Sequence, residues 1–215
     1  MSARPATPTV TVWGEAVVRT APDEAVLWLT ISALEDAPGA ALSNVATRGD
    51  ALVALLDRLG VTKADRTTTG IAVEEEHDHT GTGRRLLGHR ATSQTAVHLT
   101  DPEQVGRLVS TAADELSARV HGLRWLISLD NPVRLETARR AAADAERKAR
   151  AYAEGVGAGL GPLIRLSESG DAEPARIVRM SRASAASAMS QSIPVEAGEQ
   201  AVTASIEATF ALELG

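Results

Sequence analysis

The chain has 215 residues, enough for one generous domain or two small ones with a buried core. Its net charge of −6, with acids and bases interspersed, argues against a nucleic-acid partner, which calls for a basic stripe with stacking aromatics. Cysteine is absent, which excludes disulfides, thiolate nucleophiles and cysteine-held zinc or iron–sulfur sites, and an aromatic content of 2% leaves core volume to Val, Leu, Ile and Ala.

Residues 9–19, TVTVWGEAVVR, alternate with period two and predict a strand that ends at Thr20-Ala21-Pro22-Asp23, because proline cannot donate to a ladder. Residues 24–35 resume the alternation with bulk on both faces, as in a central strand covered on both sides. Leu42, Val45, Ala46, Val53, Leu56 and Leu59 recur at three and four, which predicts a helix from Pro38 to Leu59 with Gly60 just past its end. Strands over 67–77 and 86–99 then flank HTGTG, the pattern of a hairpin.

Thr100-Asp101-Pro102-Glu103 has the form of a capping box, with Thr100 as N-cap of a helix whose buried stripe is Val105, Leu108, Val109, Ala112 and Leu116. A strand over 120–129 follows, and Asp130-Asn131-Pro132 opens a third helix. Its apolar seam is read as Ala138, Ala142, Ala145, Ala149, Tyr152 and Val156, with Asp144/Lys148 and Glu146/Arg150 as i,i+4 ion pairs outside it. Such an alanine seam lets the helix lie close to a neighbour, within the fold or across a subunit contact. Residues 162–168 form a short strand, 179–192 (RMSRASAASAMSQS) read as a Ser/Ala-rich arm or a short helix, and 200–214 alternate as a last strand.

The string ββαββαβαβ-loop-β defines an α+β class, a mixed, largely antiparallel sheet with packed helices, within which β-α-β-β-α-β allows a ferredoxin-like core. The expected organisation is a flexible 1–8, then one domain over 9–215 with a flexible segment at about 170–193. No run of about eighteen uncharged apolar residues occurs, so no membrane-spanning helix is expected. The amino-terminal MSARPATPTVTVWGE carries no apolar signal-peptide core, which points to the cytoplasm.

The chemistry-bearing stretch is EEEHDHTGTGRRLLGH, residues 74–89. On a strand, His77 and His79 face the same side about 7 Å apart, and His89 or one of Glu74, Glu75 and Glu76 could complete a metal set. A glycine-rich hairpin tip offers little second-shell support, so the set of metal ligands and the set of cofactor ligands are both expected to be empty. The glycines of GVGAGLG follow a helix and precede a strand, the reverse of a dinucleotide fingerprint, and no G-x-S-x-G elbow occurs.

Several stretches together resemble the SIMPL domain family. VTVWGEAVVRTAPDEAVLWLTI is similar to its opening, with Gly14 and the Pro22-Asp23-x-Ala25 signature. LGVTKADRTTTGI has Val61 where the family has isoleucine, and LGHRATSQTAVHL has His89 in place of tyrosine. The alanine-rich helix with its Leu160-Gly161 exit and IPVEAGEQAVTASIEATFAL, with Ala197 before Gly198, complete the resemblance. It implies an α+β domain that often assembles into oligomers, many members being periplasmic with proposed links to envelope or oxidative stress, and it implies no catalytic residues. The reading is thus a non-enzymatic, self-associating structural or interaction module, a homo-oligomer. The alternatives are a metal-binding protein using His77, His79 and His89, and a small-ligand or peptide binder at an exposed sheet edge.

Overall fold

The computed structural model describes residues 8–78, 85–168 and 196–214. The Ser/Ala-rich stretch, most of residues 1–8 and the hairpin tip fall outside that range. The expected elements occur in the expected order: β1 (Thr9–Thr20), β2 (Glu24–Glu35), α1 (Pro38–Arg58), β3 (Arg66–Asp78), β4 (Arg85–Leu99), α2 (Gln104–Leu116), β5 (Arg119–Leu126), α3 (Pro132–Gly155), β6 (Ala158–Glu168) and β7 (Gln200–Leu214). The fold is α+β, but with two purely antiparallel sheets in place of one mixed sheet. Two compact units result, one built around 22–126 and the other from the flanking segments. The break at Pro22 explains the division: β1 and β2 do not close a hairpin but enter different sheets.

The unit formed by β2, α1, β3, β4, α2 and β5 orders its strands β3-β4-β2-β5. Each β-α-β step straddles an antiparallel strand, the split arrangement of ferredoxin-like folds. β2 shows why the residues choose this layout. Ala25, Leu27, Leu29, Ile31 and Ala33 are buried on one face, beneath Ala41, Val45, Leu52, Leu55 and Leu56 of α1 and Val105, Leu108 and Ala112 of α2. Its other face, with Val26, Trp28 and Thr30, is only half-buried, so β2 is covered on one side, not two. There Arg124 lies 5.8 Å above the Trp28 ring, opposite Gly122, in cation–π geometry.

Helix ends are finished by neighbours. Gly60 adopts φ 78° behind α1, as a C′ residue should. α2 departs from the expected capping box: it starts at Gln104, and Asp101, not Thr100, supplies the oxygen, accepting from the Glu103 amide at 3.0 Å. Proline at 102 fixes the turn so that the aspartate side chain folds forward onto the next free amide. At its far end Arg48 of α1 donates to the Leu116 and Ser117 carbonyls, satisfying acceptors a helix terminus leaves open.

The second unit orders its strands β1-β7-β6, with α3 on one face. β6 begins at Ala158, earlier than expected, because Gly157 at φ 75° turns the chain directly from helix to strand. Asn131 caps α3 through a 3.0 Å bond from the Val133 amide, as its sequence suggests. The seam is the expected one at its centre only: Ala145 and Ala149 are buried, joined by Thr137, Ala141 and Ala153, whereas Ala138, Ala142, Tyr152 and Val156 are exposed. Strict four-residue spacing of small side chains selects this row, the one facing Val12, Ile206, Ala208 and Phe210.

Smallness matters most where α3 crosses β1. A Cβ on Gly14 would sit 2.2 Å from the Ala141 carbonyl oxygen and 2.7 Å from the Ala145 Cβ and amide nitrogen. Only glycine permits that approach. Around it Asp144 Oδ2 accepts from the Glu15 amide at 3.0 Å, and Lys148 Nζ donates to the Trp13 carbonyl at 2.9 Å. Gly14 pairs with Ile206 on one side, so its two neighbours turn their backbone groups outward from the sheet, and α3 takes both. Lys148, then the Glu15 amide, hold the Asp144 carboxyl below its ordinary value, with Arg147 adding charge.

We predict that Gly14→Ala destabilises the protein by about 3 kcal/mol or more in urea unfolding, since the obstruction is backbone and cannot rotate away. Ala145→Glu, a charge at a fully buried position, is expected to act in the same direction. Gly49→Ala, where an added Cβ meets nothing within 4 Å, should instead gain about 0.5–1 kcal/mol. Because the Asp144 value is depressed in the folded state, its contribution is complete above its ordinary value of 3.8 and is lost as pH falls through the folded value. Asp144→Asn should therefore flatten the loss of stability as pH falls below about 4, read from urea midpoints across the acid range.

Candidate functional site

The histidine-bearing hairpin forms as expected, with Glu74 opposite Arg90 and Glu75 opposite His89. His89 lies on β4 between Glu75 of β3 and Glu35 of β2 in register, half-buried beside fully buried Ala91. His77, mostly shielded, points Nε2 at Glu75 Oε2 across 3.5 Å. Glu75 is thus the common neighbour of His77 and His89. No group of three His, Asp or Glu residues among the described residues is arranged to hold a metal ion, and His79 lies outside them. On the other face Arg90 Nε donates to Glu76 Oε2 at 2.6 Å, and that bond lowers the Glu76 carboxyl and raises the guanidinium. The strand pair beside the tip carries an ion pair on one face and a histidine–carboxylate contact on the other.

A second cluster is invisible in the sequence. His98 Nε2 sits 3.1 Å from Glu24 Oε2, and its Nδ1 3.8 Å from Asp65 Oδ1. Its three members come from β4, β2 and the short 3-10 turn Lys63–Asp65. They meet only because Val26 pairs with His98 and Arg66 with Val97, a register that no local motif encodes. An imidazole between two carboxylates can exchange a proton, but a hydrolytic relay needs a nucleophile in hydrogen-bond reach, and His98 makes no such contact with a hydroxyl among the described residues. The cluster joins three elements at the start of the sheet.

A concavity lies between α1 and β3. α1 covers β2 and β4 and stops short of β3, the end strand of its sheet. Leu42, Val45, Ala46, Gly49 and Val53 form the helix wall, Thr68, Ile71, Ser93 and Thr95 the floor, and the space measures about 540 Å³. Ala46 and Gly49 keep it open: at these positions the helix row is too small to reach the strand. Arg66 closes one end. Its side chain, only 8% exposed, donates to the Val53 carbonyl at 3.1 Å and to Asp57 at 2.7 Å. Ile71 stands 68% exposed on the floor.

Comparison with known sequences fits this geometry. The sequence model of the SIMPL family, described as a protein of unknown function (DUF541), matches residues 10–210. The chain belongs to the SIMPL family. Two curated relatives are the 26 kDa periplasmic immunogenic proteins of Brucella melitensis biotype 1 and Brucella abortus strain S19. Each is 28% identical over 216 residues, covering 95% of this chain and 84% of the relative. The family description attaches no chemistry to the fold. Gly14, which the family resemblance already marks, gains a physical reason in the contact with α3, and Asp144 and Lys148, read in the sequence as a surface ion pair, emerge as the clamp on β1. No helix among the described residues is long and apolar enough to cross a membrane.

The hairpin geometry predicts less than one equivalent of zinc, copper, nickel or iron in protein purified without a histidine tag, by elemental analysis. Stoichiometric metal that disappears in a His77→Ala, His89→Ala double variant would contradict the reading of these histidines as sheet residues.

Proposed function

We propose that this SIMPL protein acts as a non-enzymatic, self-associating interaction module. The observation that carries the reading is the edge of the three-stranded sheet. β6 lies at its end, and Leu163, Ile164 and Leu166 are 49%, 55% and 54% exposed there. A strand end with unpaired backbone groups and apolar side chains on both faces favours pairing with another chain. A second copy, bringing the same strand about a two-fold axis, extends three strands to six without any new surface. The opposite edge is not equivalent, since Asp144 and Lys148 occupy the outward backbone groups beside Gly14. Self-association through β6 also agrees with what the family resemblance implies.

The compartment belongs to the same proposal. Of cytoplasm and periplasm, the names of the two Brucella relatives support the periplasm. Fractionation of the native host decides between them.

Light scattering coupled to size-exclusion chromatography tests the assembly. The expected mass exceeds the 22.5 kDa chain and rises with concentration in the micromolar range. Ile164→Lys, which places a charge on the exposed edge and leaves the core untouched, should return the protein to one chain with unchanged thermal stability. A strict monomer in the wild type, or an assembly indifferent to Ile164→Lys, contradicts the proposal.

A further inference from the structure

The concavity beside β3 has the parts of a peptide groove. Every second residue of an end strand directs its amide and carbonyl away from the sheet, and among the described residues β3 has only β4 beside it. Register shifts between Thr68 and Gly70 and between Glu76 and His77 confine the regular run to Gly70–Glu76. That run is about 20 Å long at strand rise. Alongside it stands α1, whose Leu42, Ala46, Gly49 and Val53 face the floor residues Ile71, Ser93 and Thr95. An added strand would bond to the outer edge of β3 and drop alternate side chains between β3 and α1. The remaining alternate side chains would point to the opposite, open face.

Charge indicates which strand fits, and in which direction. The Lys63 side chain lines the start of the groove, whereas Glu74, opposite Arg90 in register near the far end of the run, faces the open side of the sheet, and neither side chain forms a hydrogen bond or ion pair among the described residues. Arg66 and Glu76 are already committed, to Asp57 and Arg90. A strand antiparallel to β3 brings its carboxyl end to Lys63 and its amino end to Glu74. Asp50, midway along the helix wall, disfavours an acid at the centre of that strand. The hydroxyls of Thr68, Ser93 and Thr95 leave the floor able to accept small polar as well as aliphatic groups.

We propose that the α1–β3 groove binds a short extended peptide by strand addition to Gly70–Glu76. The peptide has alternating small apolar residues, a basic amino end and an acidic or free carboxyl end, and runs antiparallel to β3. This surface belongs to the unit that does not carry β6, so it is independent of the self-association proposed above.

The test uses the full chain and a fluorescein-labelled octapeptide, Thr-Lys-Val-Thr-Val-Ser-Glu-Thr, read by fluorescence anisotropy; its valines and Glu share the groove side with Lys63, and its Lys shares the open side with Glu74. Saturable binding in the micromolar range is expected, with at least about tenfold weaker binding of the charge-reversed peptide Thr-Glu-Val-Thr-Val-Ser-Lys-Thr. Lys63→Glu should abolish that preference, since each peptide then meets one attractive and one repulsive end. Gly49→Leu fills the groove from a helix position with free space around it and should weaken binding by about tenfold or more, with thermal stability retained. Hydrogen exchange should show new protection in Gly70–Glu76 on peptide addition. Absence of saturable binding, equal binding of a scrambled peptide, or indifference to Gly49→Leu overturns the proposal. A change of assembly mass in Gly49→Leu also overturns it, because a second copy then occupies the groove.

Discussion

The approach of α3 to β1 at Gly14 sets the geometry of the outer unit. A three-stranded sheet buries little apolar area, and a single helix must cover it closely if it is to hold at all. Ordinary side chains would hold helix and strand about 10 Å apart. Glycine on the strand and alanine every fourth residue on the helix remove that spacing, and the carbonyl of Ala141 comes to lie where a Cβ of residue 14 would be. At such short range a side chain four atoms long can reach round the strand. Asp144 and Lys148 therefore take the two backbone groups that an edge strand leaves open, one donor and one acceptor. One close contact yields a packed core, satisfied polar groups and a blocked sheet edge together.

Blocking one edge gives meaning to the others. β1 is closed at its centre by α3, whereas β6 keeps exposed aliphatic side chains and β3 keeps a regular run beside a groove. Sheet edges that are not closed by a side chain, a proline or a charge tend to be used. In this protein the chemistry follows the same division. Its ionic groups brace secondary structure: Arg90 on Glu76, Arg66 on Asp57, Arg48 on the end of α2. They do not converge on a nucleophile or a metal among the described residues.

Much of this architecture is legible in the sequence because its signals are local. Period-two alternation marks β2 and β7, Asn131-Pro132 marks the start of α3, and Gly60 marks the end of α1. What depends on long-range pairing is not legible. Nothing local says that β1 pairs with β7, about 190 residues away, so the two sheets read as one. The α3 seam is read correctly at Ala145 and Ala149 and missed towards both ends, because alanine is present on several faces of the helix and only the partner strand decides which row is buried. Asp144/Lys148 is readable as an i,i+4 pair, but its grip on Trp13 and Glu15 depends on the approach at Gly14. The histidines show the converse. His77 and His89 attract attention by residue type, yet the register places a glutamate between them, while His98, Glu24 and Asp65 meet without any motif.

The central claim is that α3 seals the edge of β1, and the exchange rate of one amide tests it most directly. The Glu15 N–H points away from β7, so in an open edge strand it would exchange at close to the rate of a solvent-exposed amide. With Asp144 accepting from it at 3.0 Å, native-state hydrogen exchange should find Glu15 protected like its sheet-bonded neighbours Gly14 and Ala16, and Asp144→Asn should selectively diminish that protection. A Glu15 amide that exchanges like a free edge in the wild type would contradict the account.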